Sequence, residues 1–225
     1  QEGIRTLFIE GGTRILTQFL TADAIDYLRM ATAPFFVGDS HAPRFVHAGR
    51  FPHNKDRRMH LLSTQAIGDM SVAIYALKAS AEDYARMEQA ITLAAQCPPS
   101  KGAYSVGAVI VTEDGQVFTG YSRETAPTNH AEEEAILKAI RAGSRLTGAT
   151  VYSSMEPCTT RKSKPASCSE LIILHRMKRV VFAAYEPPTF VTCLGEAVLR
   201  QAGIEVTILS DLAQKALDVN RHLAK

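Results

Sequence analysis

Apolar and polar positions follow two different rhythms along these 225 residues, and the rhythm changes near residue 78. The apolar run Thr6-Leu7-Phe8-Ile9 is closed by Glu10-Gly11-Gly12, and apolar residues then recur at helical spacing from Thr13 to Leu20, which predicts strand, glycine turn and helix. The stretch from Tyr27 to Val37 reads as a buried strand, and a polar Pro/His/Arg-rich loop runs from Gly38 to Arg58. Two further runs, His60 to Ile67 and Met70 to Leu77, are separated by Gly68-Asp69 and predict an antiparallel pair.

After residue 78 the rhythm becomes that of a layered α/β protein. Ser80 is a candidate N-cap, with Glu82 and Asp83 in the first turn of a helix reaching Ala95 and stopped by Cys97-Pro98-Pro99. Ser105–Thr112 and Val117–Tyr121 flank the turn Glu113-Asp114-Gly115 as a hairpin, and a helix opens at His130 and runs to Ala142. Alternation follows: strand Thr150–Ser153, helix Cys168–Leu174, strand Arg179–Ala184, helix Leu194–Gln201, strand Glu205–Leu209 and helix Asp211–His222. Such alternation predicts a mixed sheet with helices on both faces.

Composition narrows the class. A 46% hydrophobic content supports buried cores, and the balance of 25 basic against 23 acidic residues gives no overall pull toward nucleic acid or membrane. No apolar run reaches the length of a membrane span, and Gln1-Glu2-Gly3-Ile4-Arg5 lacks the features of an export signal, so a cytoplasmic location is expected. In that setting Cys97, Cys158, Cys168 and Cys193 are free thiols or metal ligands rather than disulfides. Cys97 and Cys193 read as packing thiols.

Candidate chemistry lies in His130-Ala131-Glu132, Pro157-Cys158 and Cys168. Three soft ligands, His130, Cys158 and Cys168, suit a catalytic zinc ion whose fourth position is left to water. Glu132, spared from ligation, would move protons. The pattern follows the H-x-E…P-C-x-x-C arrangement of zinc nucleobase deaminases, except that nine residues, Thr159 to Ser167, separate the cysteines. Both His130 and Cys168 fall at predicted helix N-termini, where partial positive charge favours thiolate.

From about Glu82 to Val206 the chain resembles the cytidine deaminase-like superfamily, and within it the deaminase half of the bifunctional riboflavin biosynthesis deaminase/reductase family. The resemblance is carried by the Tyr84–Ala95 helix, Val106-Gly107-Ala108-Val109-Ile110-Val111, His130-Ala131-Glu132, Glu156-Pro157-Cys158, Cys168-Ser169-Glu170-Leu171-Ile172-Ile173 and Gln201-Ala202-Gly203-Ile204-Glu205-Val206. The long loop between the cysteines is shared with that family. It implies that Lys164, with Arg161 and Lys162 reinforcing the charge, meets the substrate phosphate. Leu7 to Thr13, Ala33 to Gly38 and Ile67-Gly68-Asp69 resemble the family's reductase, implying Glu10 at the pyrimidine and Gly12, Thr13, Arg14, Ile15 and Leu16 at NADPH phosphates.

The implied architecture is the C-terminal half of a dihydrofolate reductase-like α/β domain over residues 1–78, followed by a three-layer α/β/α cytidine deaminase-like zinc domain over 79–225. The implied activity is zinc-dependent hydrolytic deamination of a phosphorylated aminopyrimidine, with a partial NADPH-dependent reductase module. Ala103-Tyr104 stands where the family has Asn-Pro, and Ser122 where it has histidine, which leaves cytidine, deoxycytidylate or a specialised pyrimidine open as substrates. A non-catalytic zinc-stapled interaction module is the reading from another class. Expected partners are a small pyrimidine nucleotide-like substrate and either a second copy of the chain or a missing N-terminal reductase fragment, with no nucleic acid and no membrane.

Overall fold

Gly11 and Gly12 open the first helix, α1 (Thr13–Thr21), with Gly12 in extended conformation at the N-cap and no side chain capping the free amides. The computed structural model describes residues 7–161, 163–186 and 194–223, and the chain divides into two compact units, Gln1–Ser80 and Ala81–Lys225. In the first unit, β1 (Tyr27–Thr32), β2 (His60–Ile67) and β3 (Met70–Ala76) form an antiparallel sheet in the order β1-β3-β2. Gly68 sits at φ +61° in the two-residue turn between Ile67 and Met70, which are paired. A positive φ at the first central residue is what a II′ hairpin requires, so the order Gly-Asp is the sense-making one here.

Two expectations for this unit are corrected. Leu7 to Glu10 are not a strand, and Leu7 and Phe8 are 73% and 74% exposed; the described residues give this short run no pairing partner. The segment from Tyr27 is not a buried strand to Val37: it ends at Thr32, only Leu28 within it is buried, and Phe35, Phe36 and Val37 are exposed. Pro34 lacks an amide donor and restricts the residue before it, which stops the ladder. A small core forms instead around Leu20, Leu28 and Leu77, joined by Val46 and Phe51 from the long loop.

In the second unit α2 (Ala81–Ala94) precedes the hairpin of β4 (Gly107–Val111) and β5 (Val117–Tyr121). Then come α3 (Ala131–Arg141), β6 (Thr150–Met155), α4 (Cys168–Leu174), β7 (Arg179–Ala184), α5 (Gly195–Gln201), β8 (Glu205–Ile208) and α6 (Ala213–Asp218). The sheet order is β5-β4-β6-β7-β8; β4 runs antiparallel to β5 and β6, while β6, β7 and β8 run parallel. The expected single helix from Asp211 to His222 is broken into a 3₁₀ turn, α6 and a second 3₁₀ turn, Arg221–Leu223. Asn220 leaves the helix because its side chain bonds both the amide (2.7 Å) and the carbonyl (2.9 Å) of Ser105, a local alternative that competes with the helical ladder.

Two glycines on neighbouring strands set the layering. A Cβ on Gly107 would lie 2.0 Å from the carbonyl oxygen of Ala90 in α2, and one on Gly120 would lie 2.4 Å from that of Ala131 in α3. Gly107 pairs with Tyr121 and Gly120 with Ala108, so the two glycines face opposite sides of the sheet. Helices therefore press onto both faces at backbone contact distance. On the α3 side the core is built from Ile110, Val151, Val180, Phe182 and Leu199, all fully buried.

Candidate metal centre and active site

His130 is the N-cap of α3, Cys168 the first residue of α4, and Cys158 follows the C-terminal end of β6. Each candidate ligand thus stands where a loop meets a regular element at one end of the parallel strands, the place where open α/β sheets gather ligands. Ser167 caps α4 in a reciprocal capping box with Glu170, which fixes where that helix begins. The amides of Cys168 and Ser169 point back at Cys158, to its sulfur at 3.4 Å and its carbonyl at 3.0 Å.

His130 Nδ1 lies 3.5 Å from each of the two sulfurs, Cys158 Sγ and Cys168 Sγ, and the three donor atoms lie within 4.8 Å of one another. Bonds of about 2.3 Å to sulfur and 2.0–2.1 Å to nitrogen at a tetrahedral angle imply an S···N edge of about 3.5 Å. The donor set fits zinc. Protonation agrees with it: the hydrogen bond from Cys168, opposed by burial and aided by His130, draws Cys158 down to about 4. The same hydrogen bond, with burial, holds Cys168 well above the usual thiol range. Burial alone would lower His130, but its hydrogen bond to Cys158 and the negative charge there leave it raised. One thiolate is preformed, and the second proton would leave on metal binding.

Glu132 is buried in the first turn of α3, its Oε1 accepting a hydrogen bond of 2.9 Å from Ser153 of β6 and its Oε2 lying 3.2 Å from Cys168 Sγ. Burial, and after it the charge of Cys158, push this carboxyl above the usual range. A carboxyl raised in this way is placed to accept a proton and to release it again.

The loop between the cysteines is tied to α3. Arg161 Nη2 donates to Glu133 Oε2 at 2.7 Å, and Lys164 Nζ donates to Glu133 Oε1 at 2.6 Å and to Asn129 Oδ1 at 2.5 Å. Burial would raise Glu133, but the hydrogen bonds from Lys164 and Arg161 outweigh it and hold the carboxylate below its usual range. Arg161 has only 4% of its side chain exposed, and its Nε and Nη1 are buried without a hydrogen-bond partner among the described residues. Two donor nitrogens of a buried cation are therefore without a partner among the described residues.

A cavity of about 340 Å³ opens beside the metal donors, lined among others by Ala103, Tyr104, Ser122, Asn129, Glu132 and Glu186. Glu186, pushed up to about 7 by burial and then by the Cys158 charge, has no hydrogen bond or ion pair to a described residue. Asn129, Glu133 and Glu186 were not among the residues singled out by motif, since their roles come from partners remote in sequence; the adjacency of Asn129 and Glu133 to His130-Ala131-Glu132 was the one available signal. Glu10, Gly12, Thr13, Arg14, Ile15 and Leu16 lie in the other unit, at the opening of α1, with Glu10 exposed. Cys97 is half-buried, with its thiol donating to the Val106 carbonyl. Lys162 and Cys193 lie outside the described residues.

A mixed sheet covered by helices on both faces, with a His/Cys/Cys donor set and a buried glutamate at the end of its parallel strands, defines the cytidine deaminase-like class. Residues 80–184 match the cytidine and deoxycytidylate deaminase zinc-binding region, and residues 1–73 match the RibD C-terminal domain. Both matches point to the riboflavin biosynthesis deaminase/reductase family, to which the chain is similar. Over 127 residues it is 45% identical to a diaminohydroxyphosphoribosylamino-pyrimidine deaminase of Schizosaccharomyces pombe, a match covering 56% of this chain and 31% of that protein. Over 104 residues it is 41% identical to the riboflavin biosynthesis protein RibD of Aquifex aeolicus, covering 46% of this chain and 28% of that one. The chain thus spans less than a third of the length of these two relatives.

Among solved structures, the deaminase/reductase of Thermotoga maritima superposes with a TM-score of 0.54 at 29% identity, covering 63% of this chain and 40% of the other. The Aspergillus oryzae Rib2 deaminase in complex with DARIPP gives 0.54 at 26% identity, covering 61% of this chain and 88% of the other. Among the described residues, no helix is long and apolar enough to cross a membrane.

Proposed function

We propose that residues 81–225 form a zinc-dependent aminohydrolase that removes an exocyclic amine from a phosphorylated aminopyrimidine of the diaminohydroxy-phosphoribosylaminopyrimidine type. The observation that carries this reading is the buried Glu132 carboxyl held by Ser153 beside three donors at zinc-like separations. His130, Cys158 and Cys168 would hold the ion, which supplies an activated water at neutral pH. Glu132 takes a proton from the attacking water and returns it to the departing amine. The ring carbon gains oxygen and loses nitrogen, and ammonia leaves. Ser153 keeps Glu132 turned toward the cavity, and the low-polarity surroundings that raise its pKa let one carboxyl serve both steps.

Lys164 and Arg161 would take the substrate phosphate, supported by the two unpartnered donors of Arg161. In the other unit, Glu10 would contact a pyrimidine, and the uncapped N-terminus of α1, from Gly12 to Leu16, would meet NADPH phosphates in a partial reductase module. Completion by a second copy or by a further reductase segment would be needed for that step.

Glu132→Gln tests the proposal. Zinc should stay stoichiometric, because Glu132 is not a ligand, while ammonia release from the phosphorylated diaminopyrimidine falls by about 10²–10⁴-fold. Intact ammonia release in that variant refutes the proton-transfer role. A panel including cytidine and deoxycytidylate separates the substrates, since Ala103 and Ser122 both line the cavity.

A further inference from the structure

We propose that Asn129 is a positioning residue for the anion-binding lysine, Lys164; the inference rests on the reading of Lys164 as a phosphate contact. Asn129 is buried and lies directly before His130. Its Nδ2 donates at 3.0 Å to Glu134 Oε1, and its Oδ1 accepts from Lys164 Nζ at 2.5 Å. Glu134, 1% exposed in the first turn of α3, accepts two further hydrogen bonds from Thr125: from its amide at 2.8 Å and from its hydroxyl at 2.9 Å.

Glu134 Oε1 already accepts from the Thr125 amide, which can only donate, so the Asn129 atom facing this oxygen is the amide nitrogen. That choice leaves the carbonyl oxygen facing the other way, toward the cation. The rigid part of the relay is Glu134, fixed by the helix and by Thr125, and the adjustable part is the lysine on its loop. Asn129 joins them.

Lys164 has a second acceptor in Glu133 Oε1 at 2.6 Å, and an ammonium carries three N–H donors. Two are spent on Asn129 and Glu133, which leaves the third to be aimed by them. Without Asn129 the ammonium would hang on Glu133 alone, free to swing on a flexible four-carbon stem. The loss should therefore fall on the phosphate and spare the ring.

The experiment compares Asn129→Ala, Asn129→Ser, Lys164→Ala and the double variant Asn129→Ala/Lys164→Ala, with zinc content recorded for each. Each is assayed on the phosphorylated aminopyrimidine and on its dephosphorylated nucleoside. We expect Asn129→Ala to raise KM for the phosphorylated substrate roughly tenfold with kcat within about twofold, and to leave KM for the nucleoside unchanged. Asn129→Ser, which keeps a small polar side chain but removes the carboxamide oxygen that Lys164 meets, should show the same split even if the alanine variant loses zinc. The double variant should be no worse than Lys164→Ala alone. An equal rise in KM for both substrates, or additive losses in the double variant, overturns the positioning role. If Lys164→Ala leaves KM for the phosphorylated substrate unchanged, the phosphate reading fails and the positioning role with it. If Lys164→Ala raises it and both Asn129 variants do not, the positioning role alone fails.

Discussion

Glu133 holds two cations with one carboxylate, and Arg161, nearly sealed from water, depends on it for its only hydrogen bond to a side chain among those described. Removing one member of a buried ion pair strands the other charge, at a typical cost of about 3–5 kcal/mol. Glu133→Gln should therefore destabilise the protein by at least about 2 kcal/mol in thermal or denaturant melts, and Glu133→Gln/Arg161→Met should recover most of the loss. A double variant as unstable as the single one would show that the cost is not that of a stranded charge. The clustering of His130, Cys158 and Cys168 beside Glu132 was legible in the chain because ligand chemistry restricts residue type and the H-x-E and P-C pairings are local. Glu133 and Asn129 were not, because their partners lie 28 to 35 residues away and an acidic residue beside Glu132 looks like an ordinary helix start.

Among the elements, the approach of α3 to β5 decides where Glu132 stands. Gly120 lets Ala131 and Ala135 of α3 lie against the strand, and Ala131 is the residue before Glu132. Gly120→Ala would need backbone displaced to clear a 2.4 Å contact. The expected result is a loss of roughly 1–3 kcal/mol or more, together with a fall in ammonia release larger than the stability change explains, since the first turn of α3 must tilt. Unchanged kcat in a folded Gly120→Ala protein would contradict this coupling. Helical spacing of apolar residues marked α2 and α3, and β7 stood out as a continuous apolar run, as a strand buried on both faces must. Periodicity failed over Leu7–Glu10 and Ala33–Val37, where an apolar run has no partner strand or meets a proline, and at Asn220, where one side chain diverts the helix.

At the scale of the whole molecule the two units differ in how much they bury. The first rests on Leu20, Leu28 and Leu77 with a few half-buried neighbours and leaves Phe35 and Phe36 70% and 102% exposed; the second has a larger core, in which one face of the sheet packs against α3, α4 and α5. Calorimetry should resolve a weaker and a stronger transition. Removing zinc with a chelator should lower only the one belonging to residues 81–225, by roughly 10 °C, because a ligand present at a thousand times its Kd contributes about 4 kcal/mol to the state that binds it. A shift of both transitions, or of neither, would refute a metal confined to the second unit. The stretch from Cys158 to Cys168 also has a consequence for divergence. Its two ends are already clasped by the Ser169 amide on the Cys158 carbonyl and the Cys168 amide on the Cys158 sulfur, so the chain between them is a cassette on a fixed mount. Lengthening such a closed loop costs little, with each doubling adding about 0.6 kcal/mol, and so new substrates can be explored by exchanging the cassette while the chemistry beneath it is inherited unchanged.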